Sequence, residues 1–191
     1  LALPQSDYAL YQKAMIAGIK SSNEKIKLMG SLQKQYPQSN LVQDANMEIA
    51  LTYLTDEKFN EAIPYLDQVL ISANESLKPR ALAKKALAYY NANNNQQALS
   101  SYKELIKKYP QSAEANDALV NIKDIYVEEG NTGEYLQLMK ENGKNVSPSE
   151  ADDLAYNAAL LKYNTGNCNT AVPALSNYIN AHPNGVHIIE M

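Results

Sequence analysis

ALAKKALAYYNANNNQQALSSYKELIKKYPQS, residues 81–112, is the stretch whose reading decides the fold. Leu82, Ala86, Tyr89 and Tyr90 fall at i, i+4, i+7 and i+8, one face of an α-helix. Asn93, Asn94 and Asn95 break that pattern. A second helical face follows in Ala98, Tyr102, Leu105, Ile106 and Tyr109, and Pro110 closes it. The stretch therefore predicts two short amphipathic helices joined by a tight polar turn, with a small residue inside each helix.

The same unit recurs along the chain. Pro37, Pro110 and Pro183 stand 73 residues apart, in Tyr36-Pro37-Gln38-Ser39, Tyr109-Pro110-Gln111-Ser112 and His182-Pro183-Asn184-Gly185. The position of Ala98 maps onto Lys25, Ala62, Tyr135 and Ala171, in steps of 37, 36, 37 and 36 residues. Such regularity predicts five helical hairpins, at about 6–40, 41–76, 77–112, 113–146 and 147–185. Each hairpin can bury its apolar face only against its neighbours, so the expectation is one continuous solenoid over residues 1–191.

The Ala, Leu and Tyr alternation of the first helix, the Ala-to-aromatic spacing of the second and the closing Tyr-Pro-x-Ser together resemble tetratricopeptide repeats. The resemblance covers nearly the whole chain. It implies an all-α, right-handed superhelical solenoid, with first helices on the concave side and second helices on the convex side. The Tyr-Pro-x-Ser ending is most similar to the branch found in periplasmic and outer-membrane-associated proteins, of the Tol–Pal coordinator and outer-membrane assembly lipoprotein type. Departures from the pattern are the absence of Trp, Lys85 at a position where the family prefers Leu, Tyr135 at the inner Ala position, and a degenerate first copy. A degenerate end copy is what a capping repeat looks like.

Composition narrows the partners. The formal net charge is −4 and the sequence pI about 5.2, which argues against a nucleic-acid backbone as ligand. Fourteen Tyr against one Phe and no Trp fits helix seams in which a ring packs and its hydroxyl reaches a polar partner. The single cysteine, Cys168, has no internal disulfide partner. No apolar run is long enough to span a bilayer. The chain opens at Leu1 without Met and its end, Val186 to Met191, reads as the start of an eleventh helix, so a piece of a longer protein is expected.

Local signals set further expectations. Ser21-Ser22-Asn23-Glu24 and Ser147-Pro148-Ser149-Glu150 read as capping boxes. Asn131-Thr132-Gly133-Glu134 reads as another helix start, and Gly130 as a left-handed helix end. Tyr8, Tyr11, Ala14, Met15 and Gly18 are expected to line the first helix. Leu154, Ala155, Ala158 and Leu161, with Ala171, Leu175, Tyr178 and Ile179, are expected to pack the fifth copy. Ser72 to Pro79 is expected to be a polar loop, and Pro64 and Pro173 to lie a turn or two inside their helices.

No catalytic constellation is found, and no cofactor is implied. His182, His187 and Glu190 lack the spacing of a zinc site. Cys168 has no adjacent base. The expected function is a non-enzymatic protein–protein interaction scaffold of the bacterial cell envelope, periplasmic or outer-membrane-associated, binding a peptide or partner protein in its groove. Alternatives are a cytosolic peptide-binding co-chaperone module and a glycan-receptor helical domain. The candidate groove residues are Tyr90-Asn91 and Tyr163-Asn164, again 73 apart, with Arg80, Lys84, Asp124, Tyr156 and Asn157 beside them. Tyr gives a rigid amphipathic contact, and Asn pairs with both donor and acceptor of a peptide backbone.

Overall fold

The period written in the sequence becomes a period of turns. The computed structural model describes residues 6–72 and 74–190. Among them are ten α-helices and no strand: α1 Asp7–Gly18, α2 Ser22–Gln35, α3 Leu41–Thr55, α4 Phe59–Leu70, α5 Lys78–Asn91, α6 Asn95–Lys108, α7 Ala113–Glu129, α8 Thr132–Glu141, α9 Pro148–Asn164 and α10 Cys168–Ala181. Helices α1 and α2, α3 and α4, α5 and α6, and α9 and α10 pack as pairs. The architecture is the all-α helical-hairpin solenoid that the repeat predicts.

Within hairpins two to five, one residue per turn takes the left-handed conformation: Glu57 (φ 58°), Asn93 (58°), Gly130 (80°) and Gly166 (70°). They are spaced 36, 37 and 36 residues apart. Around the first three, the next residue's N–H reaches back to a tyrosine carbonyl, from Lys58 to Tyr53, Asn94 to Tyr89 and Asn131 to Tyr126, each at 2.8 Å. That bond satisfies a carbonyl orphaned at the end of the first helix and reverses the chain. Hairpin one turns differently, through Ile19 N to Ile16 O at 3.2 Å and Ser21 N to Ala17 O at 3.0 Å.

The proline endings are equally regular. Tyr36, Tyr109 and His182 cap α2, α6 and α10 with nearly the same backbone, φ/ψ of −131/59°, −131/52° and −125/58°. The following proline disfavours the α region there, so each helix must stop. A turn bond follows in each, from Ser39, Ser112 and Gly185 to the carbonyl three residues back. Pro64 and Pro173 are each the sixth residue of α4 and α10. The Ser147–Glu150 capping box closes in both directions, and the Ser21 hydroxyl accepts from Glu24 N–H at 3.2 Å.

Several local expectations differ from the structure. Ala14 is buried in α1 and Tyr11 and Met15 pack on its core as expected, but Leu10 joins them and Tyr8 is 61% exposed. The 72–79 connector carries a 3-10 turn at Glu75–Leu77, and α5 starts at Lys78 because Pro79, in the first helical turn, loses no needed N–H. Asn131 makes no side-chain cap. Leu161 and Ile179 of the fifth copy are substantially exposed. In place of an eleventh α-helix there is a 3-10 turn at Ile188–Glu190, and Met191 lies outside the described residues.

The chain divides into two compact units, Leu1–Ala118 and Leu119–Met191. In the first, Leu10, Ala14, Met29, Leu32, Ala45 and Ile49 form one core cluster. Met47, Ala50, Ala62, Leu66, Val69 and Ala81 form the next. The second unit buries Ile122, Ile125, Tyr126, Tyr135, Ala158, Ala159, Ala171 and Tyr178. Small residues recur at the closest approaches: Ala62 and Ala98 have no exposed surface, and Ala171 in the equivalent place is nearly as buried.

Candidate partner-binding surface

In the first unit, α1 touches α3 and α3 touches α5, so the first helices of successive hairpins lie side by side. Two columns of equivalent positions run across them. One contains Tyr11, Glu48 and Lys84, the other Asp7, Asp44 and Arg80, both at steps of 37 and 36 residues. Burial, and then the nearby Glu48 and Asp44 carboxylates, push the Tyr11 phenol up to about 12, while Arg80 works the other way. These side chains therefore share one electrostatic neighbourhood.

The acids in it are unequal. Glu48 receives Lys25 Nζ at 2.6 Å, with both side chains under one-fifth exposed. Lys25 occupies the inner position that is Ala in copies two, three and five. Gly18 makes room for it, since an added Cβ there would stand 2.7 Å from Lys25 Cδ. Asp44, one helical turn before Glu48, is raised above its ordinary value by partial burial and then by Glu48. Like charges at i, i+4 repel. The surface thus holds a carboxylate that is better off with a cation beside it.

Of the sequence-predicted residues, Arg80 is exposed in the first turn of α5 and Lys84 is half-buried one turn later. Arg80 acts on the Tyr11 phenol together with Asp44 and Glu48, residues that the sequence reading had not included, and Lys84 holds the register position of Tyr11 and Glu48 on α5. Their signal was present as the two columns, hidden because Tyr, Glu and Lys share no residue type. Tyr90 is half-buried and close to Tyr102, whose phenol is pushed to about 12 by burial and then by Tyr90. One repeat step earlier stands Leu54, which packs on the core cluster between hairpins two and three. Asn91 ends α5, exposed.

The other predicted residues belong to the second unit. Asp124 on α7 and Asn157 on α9 are exposed, as is Asn164, the last residue of α9. Tyr163 is 59% exposed. Tyr156 is half-buried; its ring stacks on His187 at 4.1 Å and meets Tyr178 edge-on at 5.9 Å.

Tyr156 borders a polar cluster built on Asp152 and Asp153 near the start of α9. The buried Asp152 accepts from the Tyr178 hydroxyl and from Val186 N–H, both at 2.8 Å, and lies 3.3 Å from His182 Nδ1. Asp153 meets His187 Nε2 at 2.7 Å. Burial raises the Asp152 carboxyl, but the Tyr178 and Val186 hydrogen bonds and then the two histidines outweigh it, holding it below its ordinary value. Burial and then Asp152 push the Tyr178 phenol to about 12. Gly185 is required here, because a Cβ would collide with Asp152 Oδ1. Among the described residues, no group of three His, Cys, Asp or Glu could hold a metal ion.

Beside this cluster lies a cavity of about 520 Å³, with Ala155, Ala158, Ala159 and Ala174 along its walls and Lys162 and Asn177 at its edge. Three repeat steps before Ala174 stands Tyr65, which packs onto the cluster of hairpins one and two. An alanine in place of that tyrosine leaves the space open.

Hairpins, turns and seams of this kind define a helical-repeat protein. Residues 47–113 match the tetratricopeptide repeat family, a span that runs through hairpins two and three. The sequence matches no curated protein. Solved structures share the fold. A tetratricopeptide repeat protein from Parabacteroides merdae is 18% identical, with a TM-score of 0.61 over 94% of this chain and 68% of that one. PilF of Pseudomonas aeruginosa is 11% identical, with a TM-score of 0.58 over 98% and 81%. YrrB, described as a TPR protein with an unusual peptide-binding site, is 14% identical, with a TM-score of 0.57 over 98% and 93%. Among the described residues, no helix is long and apolar enough to cross a membrane.

Proposed function

We propose that this protein is an interaction scaffold of the bacterial cell envelope that binds a segment of another protein on its first-helix surface. The observation that carries the reading is the Tyr11–Asp44–Glu48–Arg80 neighbourhood across α1, α3 and α5. Helix packing alone does not call for a half-buried carboxylate that burial, and then a like charge one turn away, hold above its ordinary value. A partner's lysine or arginine set beside Asp44 relieves that repulsion, while Arg80 and Lys84 take an acidic or carbonyl group further along. Asn91 supplies a polar contact to the peptide backbone on the first unit, and the second unit by itself offers Asp124, Asn157 and Asn164 for the same kind of contact. Tyr90 supplies ring surface on the first unit, as Tyr156 and Tyr163 do on the second. The tetratricopeptide match supports a protein or peptide partner, and the peptide-binding site described for YrrB is a precedent on the same fold. The envelope assignment rests on the Tyr-Pro-x-Ser ending at Tyr36 and Tyr109.

The test compares wild-type protein, an Arg80→Glu/Asp44→Lys variant and a Tyr90→Ala/Tyr163→Ala variant in pull-downs from native envelope and cytosolic fractions. Partners recovered from the envelope by wild type and lost by the charge-reversed variant, with unchanged circular dichroism, fit the proposal. Equal recovery by all three folded proteins refutes the surface, and recovery only from cytosol refutes the location.

A further inference from the structure

The cavity beside Asp152 lies inside the second unit, between the α7–α8 turn and helices α9 and α10. Its origin is written in the repeat register. In hairpin two, Ile49 belongs to the core cluster shared with hairpin one, and Tyr53 and Tyr65 pack against it. The two tyrosine rings lie 5.7 Å apart, and a hydrogen bond joins their hydroxyls. Three repeat steps on, the same places hold Ala158, Lys162 and Ala174, and all three border the cavity. Side chains that fill the seam toward the preceding hairpin in hairpin two are thus cut back together in hairpin five. Tyr178, larger than Val69 at the same place, does not refill the space: its ring forms a wall, and its hydroxyl is held by Asp152 at 2.8 Å.

What is cut back also specifies what fits. The vacated places are those of an isoleucine and of a tyrosine whose hydroxyl meets the residue at the position of Lys162. A dry apolar cavity of about 150 Å³ already admits a benzene ring, and this one measures about 520 Å³. Lys162 is half-buried and directs one donor to the Glu128 carbonyl at 2.6 Å. An ammonium has three donors, so an acceptor oxygen in the cavity can take another. Glu129 borders the same space and repels a carboxylate there. A hydroxyl suits both neighbours, since it accepts from the ammonium and still donates a proton of its own.

We infer that the cavity between α9 and α10 is a binding site for a phenol, its ring on the alanine walls and its hydroxyl on Lys162. A free phenol and the tyrosine side chain of another chain share that chemistry, and the experiment separates them. None of the residues named for the first-helix surface lines the cavity, so the two proposals fail separately.

The probe is p-cresol, which has the ring and hydroxyl of a tyrosine side chain, titrated into the whole protein and followed by saturation-transfer difference NMR. Saturable binding is expected, with toluene, which lacks the hydroxyl, several-fold weaker. Lys162→Met should weaken p-cresol to the level of toluene. Ala174→Tyr restores the residue of hairpin two and should abolish binding, with Ala158→Ile as the milder filling should the tyrosine unfold the hairpin. An end-blocked Gly-Tyr-Gly peptide that binds more tightly than p-cresol assigns the phenol to a tyrosine of another chain, and one that binds less tightly assigns it to a free small molecule. The inference is overturned if p-cresol does not saturate, if toluene binds as tightly, if Lys162→Met leaves the affinity unchanged, or if the folded cavity-filled variants bind p-cresol as wild type does.

Discussion

Replacing Gly166 by alanine isolates the cost of the repeated left-handed turn. Gly166 has φ of 70°, and a Cβ built there meets nothing within 4 Å, so the substitution adds no clash. An L-residue in this conformation costs about 1–2 kcal/mol. Restricting the unfolded chain returns about 0.4–1 kcal/mol. The central values leave a net loss of about 0.8 kcal/mol, which at a urea slope of roughly 2 kcal/mol per molar lowers the midpoint by about 0.4 M. The converse change is Glu57→Gly at φ 58°, the equivalent place in hairpin two. It removes the same strain and should raise the midpoint or leave it unchanged. Urea unfolding followed by circular dichroism reads both. A Gly166→Ala protein that unfolds at the parent midpoint, or a Glu57→Gly protein that unfolds earlier, would show that the turns do not share one backbone requirement.

Further outcomes follow from particular contacts. Ala98→Leu overpacks a seam position with no exposed surface and should cost about 1–3 kcal/mol in the same assay. Glu48→Ala leaves Lys25, 15% exposed, without its partner and should destabilise, while Lys25→Ala/Glu48→Ala should cost less than the sum of the two single changes in a double-mutant cycle. Asp152 has its carboxyl depressed in the folded protein, so its contribution is present above the ordinary value of 3.8 and lost as pH falls through the lower folded value. Asp152→Asn should flatten that acid limb in a pH series of melting curves. Asp44 behaves oppositely: its raised carboxyl opposes folding once ionised, so Asp44→Asn should melt higher than wild type at pH 7 and no higher below the ordinary value of 3.8.

The fold was legible because the chain repeats its own punctuation. Tyr36, Tyr109 and His182 before proline, and the chain of positions through Ala62, Ala98 and Ala171, needed only counting. What could not be counted was compensation between residues. Lys25 in an alanine position looked like degeneracy, and the structure resolves it through Gly18 and Glu48, which contribute space and charge from other parts of the sequence. Glu57 carries no mark of its left-handed backbone, since only the surrounding helix ends impose it. Nothing in the local sequence of Asp152 announces its partners, since Tyr178 and Val186 reach it from 26 and 34 residues away. The proposed partner surface was half legible for the same reason. Arg80 and Lys84 stood out by charge, whereas Tyr11, Asp44 and Glu48 become a site only when α1 and α3 lie together.

Site-specific photocrosslinking tests the central claim that partners engage the first helices. A benzoylphenylalanine placed singly at Lys84, Asn91 and Asn157, all on first helices, is compared with the same group at Lys103 and Ser176, exposed on second helices α6 and α10. The account predicts a discrete crosslinked protein band in intact cells from the first-helix positions, lost when Asp44→Lys is combined with them, and none from Lys103 or Ser176. Bands of equal strength from the second-helix positions, or bands indifferent to Asp44→Lys, would contradict it.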